Sequence, residues 1–475
     1  MNRKDLARNP VLPPEHHIPD GEAHVMPDGK LYVYGSYDNQ QDFYCSNIYR
    51  VASTADMKAW EVHDIALRAE DIPWYHDPKA PHYPGVDWSK PTPFMRERMP
   101  DLVSDPSGEQ TVKFRGTDIP ALLYAPDCAY RGGKYYLYFC MSDESEGVAV
   151  SDKPTGPFLH PVQLPCGQID PAVFVDDDGS AYYYWGQFRA RGVRLNDDMV
   201  SFDEKKVISN LVTEEEHFFH EGSSVRKIGA TYYFVFADVE RGKPTALGYA
   251  TGKTPFGPFT YRGIIIDNAG CDSASWNNHG SIECVNGQWY VFYHRCSRGT
   301  QLYRRLCVEP IQILPDGSIP EVRMTSQGAG EPFGPGEKIR AFRACELHGS
   351  IYIAPEENSG EEVLTHIGEG DSASFRYVRT DRAFHRAVLE YSGKGNVRIL
   401  LNHNTVGMTD LTDAGFSCLH QRSDIMRVRH FSNSTLLSGR AEVRLSDKEQ
   451  SSEPMELKLV FTKPQDLVIQ NITLL

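Results

Sequence analysis

Short apolar and aromatic runs separated by Gly, Asp and Asn turns fill the first two thirds of the chain. The stretch 167–186, GQIDPAVFVDDDGSAYYYWG, shows the pattern most fully. Asp170 precedes Pro171, an apolar run covers 172–175, a tight turn spans 176–179, and a second run ends at Trp185. Two short runs joined by an Asp/Gly turn predict a β-hairpin.

The hairpin recurs along the chain. Asp20 leads into the aromatic run 31–34, Asp127 into 135–139, Glu221 into 232–236 and His279 into 289–293. Each copy has an ionisable residue at the strand entrance, a Gly six to nine residues later, then an aromatic-rich strand. The later entrances are 43, 51 and 58 residues apart. Repeats of several short strands near this period predict a propeller, here five-bladed. SDKPTGPF at 151–158 and TGKTPFGPF at 251–259 read as the same edge turn of two blades. Innermost strands of a propeller all start at one end of the central channel, so the five entrance residues are expected around one axis.

The first interval, 107 residues, is about two repeats long. It holds an insertion at 66–120, rich in Pro and aromatic residues. Trp74, Tyr75 and Trp88 mark it as an ordered lid over the channel mouth, or as a wrap around the first two blades. Beyond residue 323 the aromatic hairpins stop. A Gly/Pro-rich linker is expected over 324–340, and short strands with turns between them predict a jelly-roll-like β-sandwich over 341–475. No stretch carries a helical period, so the class is all-β: a propeller domain over 1–323 and a sandwich domain after it.

Composition changes this picture only at the margins. With 475 residues there is ample chain for two cores. The 25 Tyr, 22 Phe and 6 Trp suit strands and surfaces that stack on sugar rings. A net charge of −15 argues against nucleic acid or an anionic membrane as partner. The first residues contain no apolar leader, and no run reaches membrane-spanning length. The ten cysteines form no CxxC pair, which reads as buried thiols in the cytoplasm.

Asp20, Asp170 and Glu221 are the chemistry-bearing entrances. Two carboxyl groups facing each other across a sugar can cleave a glycosidic bond, one as acid and one as base, and a third nearby raises a neighbour's pKa. Alone, an Asp-Pro or Glu-Gly merely starts a strand; three at equivalent positions of a closed repeat favour a site. Ile18-Pro19-Asp20-Gly21-Glu22-Ala23-His24, Ile169-Asp170-Pro171 and His220-Glu221-Gly222 resemble the three catalytic motifs of glycoside hydrolase family 43. The resemblance covers 9–322, with Gly21 standing where the family has Pro. It implies Asp20 as general base, Glu221 as general acid, Asp170 as the modulator of the acid's pKa, and inversion at the anomeric carbon. It also implies that Arg304 reaches the innermost sugar and that Asp127 lies near the site as a structural or substrate-orienting residue. His279 is implied on the channel axis, beside or ligating a hydrated structural calcium, with no cofactor needed for the chemistry itself.

The expected activity is exo-acting release of α-L-arabinofuranosyl or β-xylosyl units from plant-cell-wall-derived oligosaccharides. A galactan-active or endo-acting member of the family, a retaining furanosidase on the related fructan-cleaving propeller, and a sugar-binding propeller without catalysis are the rival readings. The C-terminal domain resembles sandwich modules appended to this family and reads as a brace.

Overall fold

Each aromatic run pairs antiparallel with the next in sequence, and the pleat sends alternate side chains into the seams between neighbouring sheets. The computed structural model describes residues 7–39, 42–75, 77, 79–83, 85–104, 121–356, 361–379, 385–412, 439–445 and 453–475. Five sheets form a propeller. Blade one comprises Glu22–Val25, Leu31–Tyr34, Ile48–Thr54 and Trp60–Arg68 in sequence order. Blade two comprises Asp127–Arg131, Lys134–Cys140, Ser145–Ser151 and Leu159–Gly167. Blade three has Ala172–Val175, Ala181–Trp185 and Arg191–Arg194, with Ile208 bridging Gly192 at its outer edge. Blade four has Phe219–Ile228, Thr231–Asp238, Ala246–Gly252 and Thr260–Asp267, and blade five Ser281–Val285, Gln288–Ser297 and Thr300–Ile311. The two similar Gly-Pro-Phe turns both lead into the fourth strand of a blade, at Leu159 and Thr260.

Aromatic side chains fill the seams. Tyr183 stacks on Trp185 and Phe202 between blades two and three, and Tyr184 meets Phe234 edge-on between blades three and four. The ring closes through the N-terminal segment, which hydrogen-bonds along the outer strand of blade five. Val11 N donates to Leu306 O at 3.1 Å, and the Asn9 amide donates to Val308 O at 2.9 Å while accepting from Val308 N at 2.8 Å. On the channel side Gly21 bridges Gly280 in parallel. A Cβ on Gly280 would sit 1.9 Å from Phe292 O, and one on Gly21 would sit 2.9 Å from a Leu306 methyl. That crowding accounts for glycine after Asp20.

The first part of the insertion packs onto the propeller. Buried Trp74 lies parallel to Phe139 at 5.9 Å and donates to Ser145 Oγ at 3.0 Å, tying the segment to blade two. Further on are two short helices, Pro93–Arg98 and Pro100–Ser104; a third, Glu214–His217, precedes blade four. Helices of four to six residues show too little periodicity to be read from sequence. Phe94 packs against His220 at 4.8 Å, beside Glu221. Residues 105–120 of the insertion lie outside the described residues.

The chain divides into two compact units, Met1–Ala269 with Trp276–Arg295 and Gln301–Arg323, and Gly270–Ser275 with Cys296–Thr300 and Met324–Leu475. In the second, nine strands among the described residues form a curled sheet around an apolar core. Its spine is the 20-residue strand Met455–Leu474, which pairs with Lys338–Arg340, Glu362–Thr365, Ser372–Val378 and Arg386–Leu401. Residues 324–340, read from sequence as a linker, are integral to this unit. Phe333 is buried in its core and bridges Val378, and Lys338–Arg340 is one of its strands. Gly and Pro obscured that strand because it is only three residues long.

Candidate active site

Asp20 and Asp170 each stand two residues ahead of an innermost strand, in the left-handed region at φ 57° and 58°. Few residues other than Gly, Asn and Asp adopt this conformation cheaply, and it turns each carboxylate toward the channel mouth. Glu221 differs: it lies inside its strand, flanked by register shifts on both sides and followed by Gly222 at φ 73°. A bulge of this kind re-aims one side chain. A Cβ on Gly222 would lie 2.9 Å from the His279 ring, so glycine lets that imidazole approach.

These residues line one pocket of about 190 Å³ together with Arg304, Tyr44, Trp276 and Asn277. His279 Nδ1 is 3.6 Å from Asp170 Oδ2 and 4.0 Å from Asp20 Oδ1. All three carboxylates are buried. Asp20 Oδ1 accepts from Arg304 Nη1 at 2.8 Å and faces His294 Nδ1 at 3.3 Å. Burial alone would raise the Asp20 carboxyl, but the Arg304 charge and His294 prevail and hold it well below the usual carboxylate range. Asp170 is pushed the other way, well above that range, by burial and then by repulsion from Glu221 and Asp20. Glu221 is positioned by two amides: Gln187 Nε2 donates to Oε2 at 2.8 Å and Asn277 Nδ2 donates to Oε1 at 3.1 Å. Burial keeps the His279 imidazole below its ordinary value, against the pull of Asp20 and Glu221.

Arg304 does more than line the pocket. Asp38 grips its guanidinium through Nε and Nη2 at 2.9 and 3.0 Å, and its ring partner is Tyr44 at 4.8 Å. Sequence reasoning missed Asp38, His294, Gln187 and Asn277. His294 directly follows the aromatic run 289–293 and Asp38 lies four residues beyond the run 31–34, which was the available signal; Gln187 and Asn277 lie in loops with none.

Asp127, expected near the site as a structural or substrate-orienting residue, is not among the residues lining this pocket. Its register explains why. Pro126 corresponds to Pro171, so Ala125 is the counterpart of Asp170, and Ala125 is what lines the pocket. Asp127 lies one layer down the channel, where it meets His24 Nε2 at 2.6 Å and accepts from Val173 N at 2.7 Å. Glu22, His24 and Asp127 place ligating atoms within 4.8 Å of one another. Arg226, 3.2 Å from Glu22, already supplies a cation there, and the oxygens of Asp127 are taken by Cys128 N, Val173 N and His24. His279 belongs to no group of three ligand side chains among the described residues. Calcium takes six to eight oxygens, so an ion at His279 would be held chiefly through water.

Glu146, beneath Asp170, is a further buried carboxyl. Burial pushes it up to about 8, against hydrogen bonds from Tyr183 and Cys166. A carboxyl raised from about 4.3 in the unfolded chain stabilises fully below that pH and loses its contribution as pH climbs through the folded value. The melting temperature is therefore expected to fall as pH rises from about 4 to about 8. Glu146→Gln should flatten that decline in a pH-resolved thermal melt; an unchanged slope would place the titration elsewhere.

The sequence model of Glycosyl hydrolases family 43 matches residues 104–319. A xylosidase/arabinosidase of Thermoclostridium stercorarium is 32% identical over 71% of this chain and 72% of its own. A xylosidase/arabinosidase of Bacteroides ovatus is 30% identical over 65% of this chain and 95% of its own. Among solved structures, the GH43 β-xylosidase/α-arabinofuranosidase CoXyl43, from a compost microbial metagenome and in complex with xylotriose in calcium-free form, superposes with a TM-score of 0.52 at 28% identity, covering 67% of this chain and 97% of that one. The propeller, its pocket of buried carboxylates and these likenesses agree, and the chain belongs to glycoside hydrolase family 43.

Proposed function

We propose that this glycoside hydrolase releases α-L-arabinofuranosyl or β-xylosyl units from the ends of short plant-cell-wall oligosaccharides, with inversion. The observation that carries the reading is the gathering of three buried carboxyls, Asp20, Asp170 and Glu221, in one pocket, with Asp20 Oδ1 accepting from Arg304 Nη1 at 2.8 Å. The names of the relatives support pentosyl substrates.

In the proposed step Asp20 accepts a proton from water. The water oxygen forms its bond to the anomeric carbon as the bond to the leaving oxygen breaks, and Glu221 delivers a proton to that oxygen. Asp170 and Glu221 share a proton, which the Glu221 carboxyl passes to the leaving oxygen, and Gln187 and Asn277 fix that carboxyl. Trp276 offers an apolar face to the sugar ring. Exo action is favoured by the Phe94 segment packed beside Glu221. No step is routed through a metal ion. The nine described cysteines form no disulfide with one another, and we place the enzyme in a reducing compartment, the cytoplasm.

A panel of aryl α-L-arabinofuranosides, β-xylosides and β-galactosides, with the product anomer followed by NMR, tests the reading. Turnover of a pentoside to the inverted sugar is expected. A retained anomer, or no turnover of any pentoside, overturns it.

A further inference from the structure

A second pocket, of about 220 Å³, opens beside the first at the same end of the propeller. It lies between the outer edge of blade three and the insertion, and its lining includes Gln187, Lys90, Arg189, Arg191 and Asn210. Gln187 lines this second pocket and donates at 2.8 Å to Glu221, which lines the first. The partners of Asp20, namely Arg304, His294 and Asp38, come from blades one and five. The second pocket therefore adjoins the acid on the side away from the base. In a displacement with water activated at Asp20, the departing group lies on that side of Glu221.

The charge of this pocket is distinctive. Lys90, Arg189 and Arg191 face a single lining acid, Asp87, in a protein whose net charge is −15. Two of these cations are engaged: Lys90 pairs with Asp87 at 2.9 Å, and Arg189 binds Glu215 and Lys90 O. Arg191 is half-buried, and its guanidinium makes no hydrogen bond or ion pair among the described residues. The acid whose field it reaches, Glu146, is fully buried, and its carboxyl is taken by Tyr183 and Cys166. A partly desolvated guanidinium without a counter-ion is a strong receptor for a carboxylate, which it can grip with two parallel hydrogen bonds. Ser209 and Asn210, both exposed at the rim, can meet sugar hydroxyls.

We propose that this second pocket is a leaving-group subsite that accepts a uronic acid, its carboxylate bound by Arg191. The assignment of side rests on the hydrolase reading above; the preference for an acidic sugar rests on Arg191 alone.

Binding is measured by calorimetry on the full chain carrying Glu221→Gln, so that no sugar is cleaved. The probes are xylobiose bearing one glucuronic acid and the neutral xylotriose. At least tenfold tighter binding of the acidic trisaccharide is expected, with the margin lost in Arg191→Gln and partly kept in Arg191→Lys. Equal affinity for the two probes overturns the proposal, as does an Arg191→Gln change that weakens both alike. Turnover of aryl pentosides by the parent protein is followed in parallel. Its absence with acid preference intact would remove the hydrolase reading while leaving the pocket's ligand class standing. Its presence without acid preference would remove only the subsite.

Discussion

Glu221→Gln is expected to lower kcat on pentosyl oligosaccharides by about 10²–10⁴-fold, the usual worth of a positioned proton donor. The same variant should lose far less on aryl glycosides whose phenol is strongly acidic, because such a group departs without being protonated. Glutamine keeps the length and the contacts from Gln187 and Asn277, so the pocket stays formed. Asp20→Asn provides the contrast: with the base gone, water is not activated, and every leaving group should suffer alike. Steady-state kinetics across a series of leaving groups separates the two. If Glu221→Gln slowed all substrates equally, Glu221 would not be the donor.

Arg304→Met is expected to cost about 3–5 kcal/mol of stability, the penalty for breaking a buried pair and stranding its partner. Here two partners are stranded. Asp38 loses both ends of its grip on the guanidinium, and Asp20 loses the contact at 2.8 Å. Both carboxylates are almost fully buried, so solvent cannot replace the lost charge. The pH dependence follows from the sign of the Asp20 shift. A carboxyl held below its unfolded value of about 3.9 adds stability above that pH and loses it as pH falls through the folded value. The parent protein should thus keep this share of its stability, and its active base, into acid. In Arg304→Met the acid limb of kcat/KM should move to higher pH. Denaturant unfolding measures the first effect and a pH–rate profile the second. Adding Asp38→Asn to Arg304→Met should recover part of the lost stability. A double variant as unstable as the single one would show that charge is not the cause.

Particular residues show where sequence reasoning reached and where it stopped. The aromatic hairpins identified the blades because a strand's two-residue period is written locally, in alternating side chains and in the turn that follows. The same period misplaced Asp127. Counting from Asp20 put it at a strand entrance, whereas the shared proline at 126 and 171 gives Ala125 that position. A shift of two residues keeps the side chain on the channel face and moves it one layer down, so nothing in the local pattern objects. The strand Lys338–Arg340 was hidden for a related reason: its identity comes from pairing with Met455–Leu474, more than a hundred residues away.

By itself, the sequence determined the number of blades, the two-part division of the chain and the three carboxylates that gather at one channel mouth. These are set by local periodicity and by a repeat that can close only as a ring. What only the tertiary structure decided is the electrostatic character of each carboxylate. Arg304 and Asp38 come from opposite ends of the propeller sequence, and Gln187 and Asn277 from unrelated loops, yet these contacts keep Asp20 charged and Glu221 aimed. A carboxyl group's acidity depends on the charges and dipoles within a few ångströms of it, and those are chosen by ring closure rather than by neighbours along the chain.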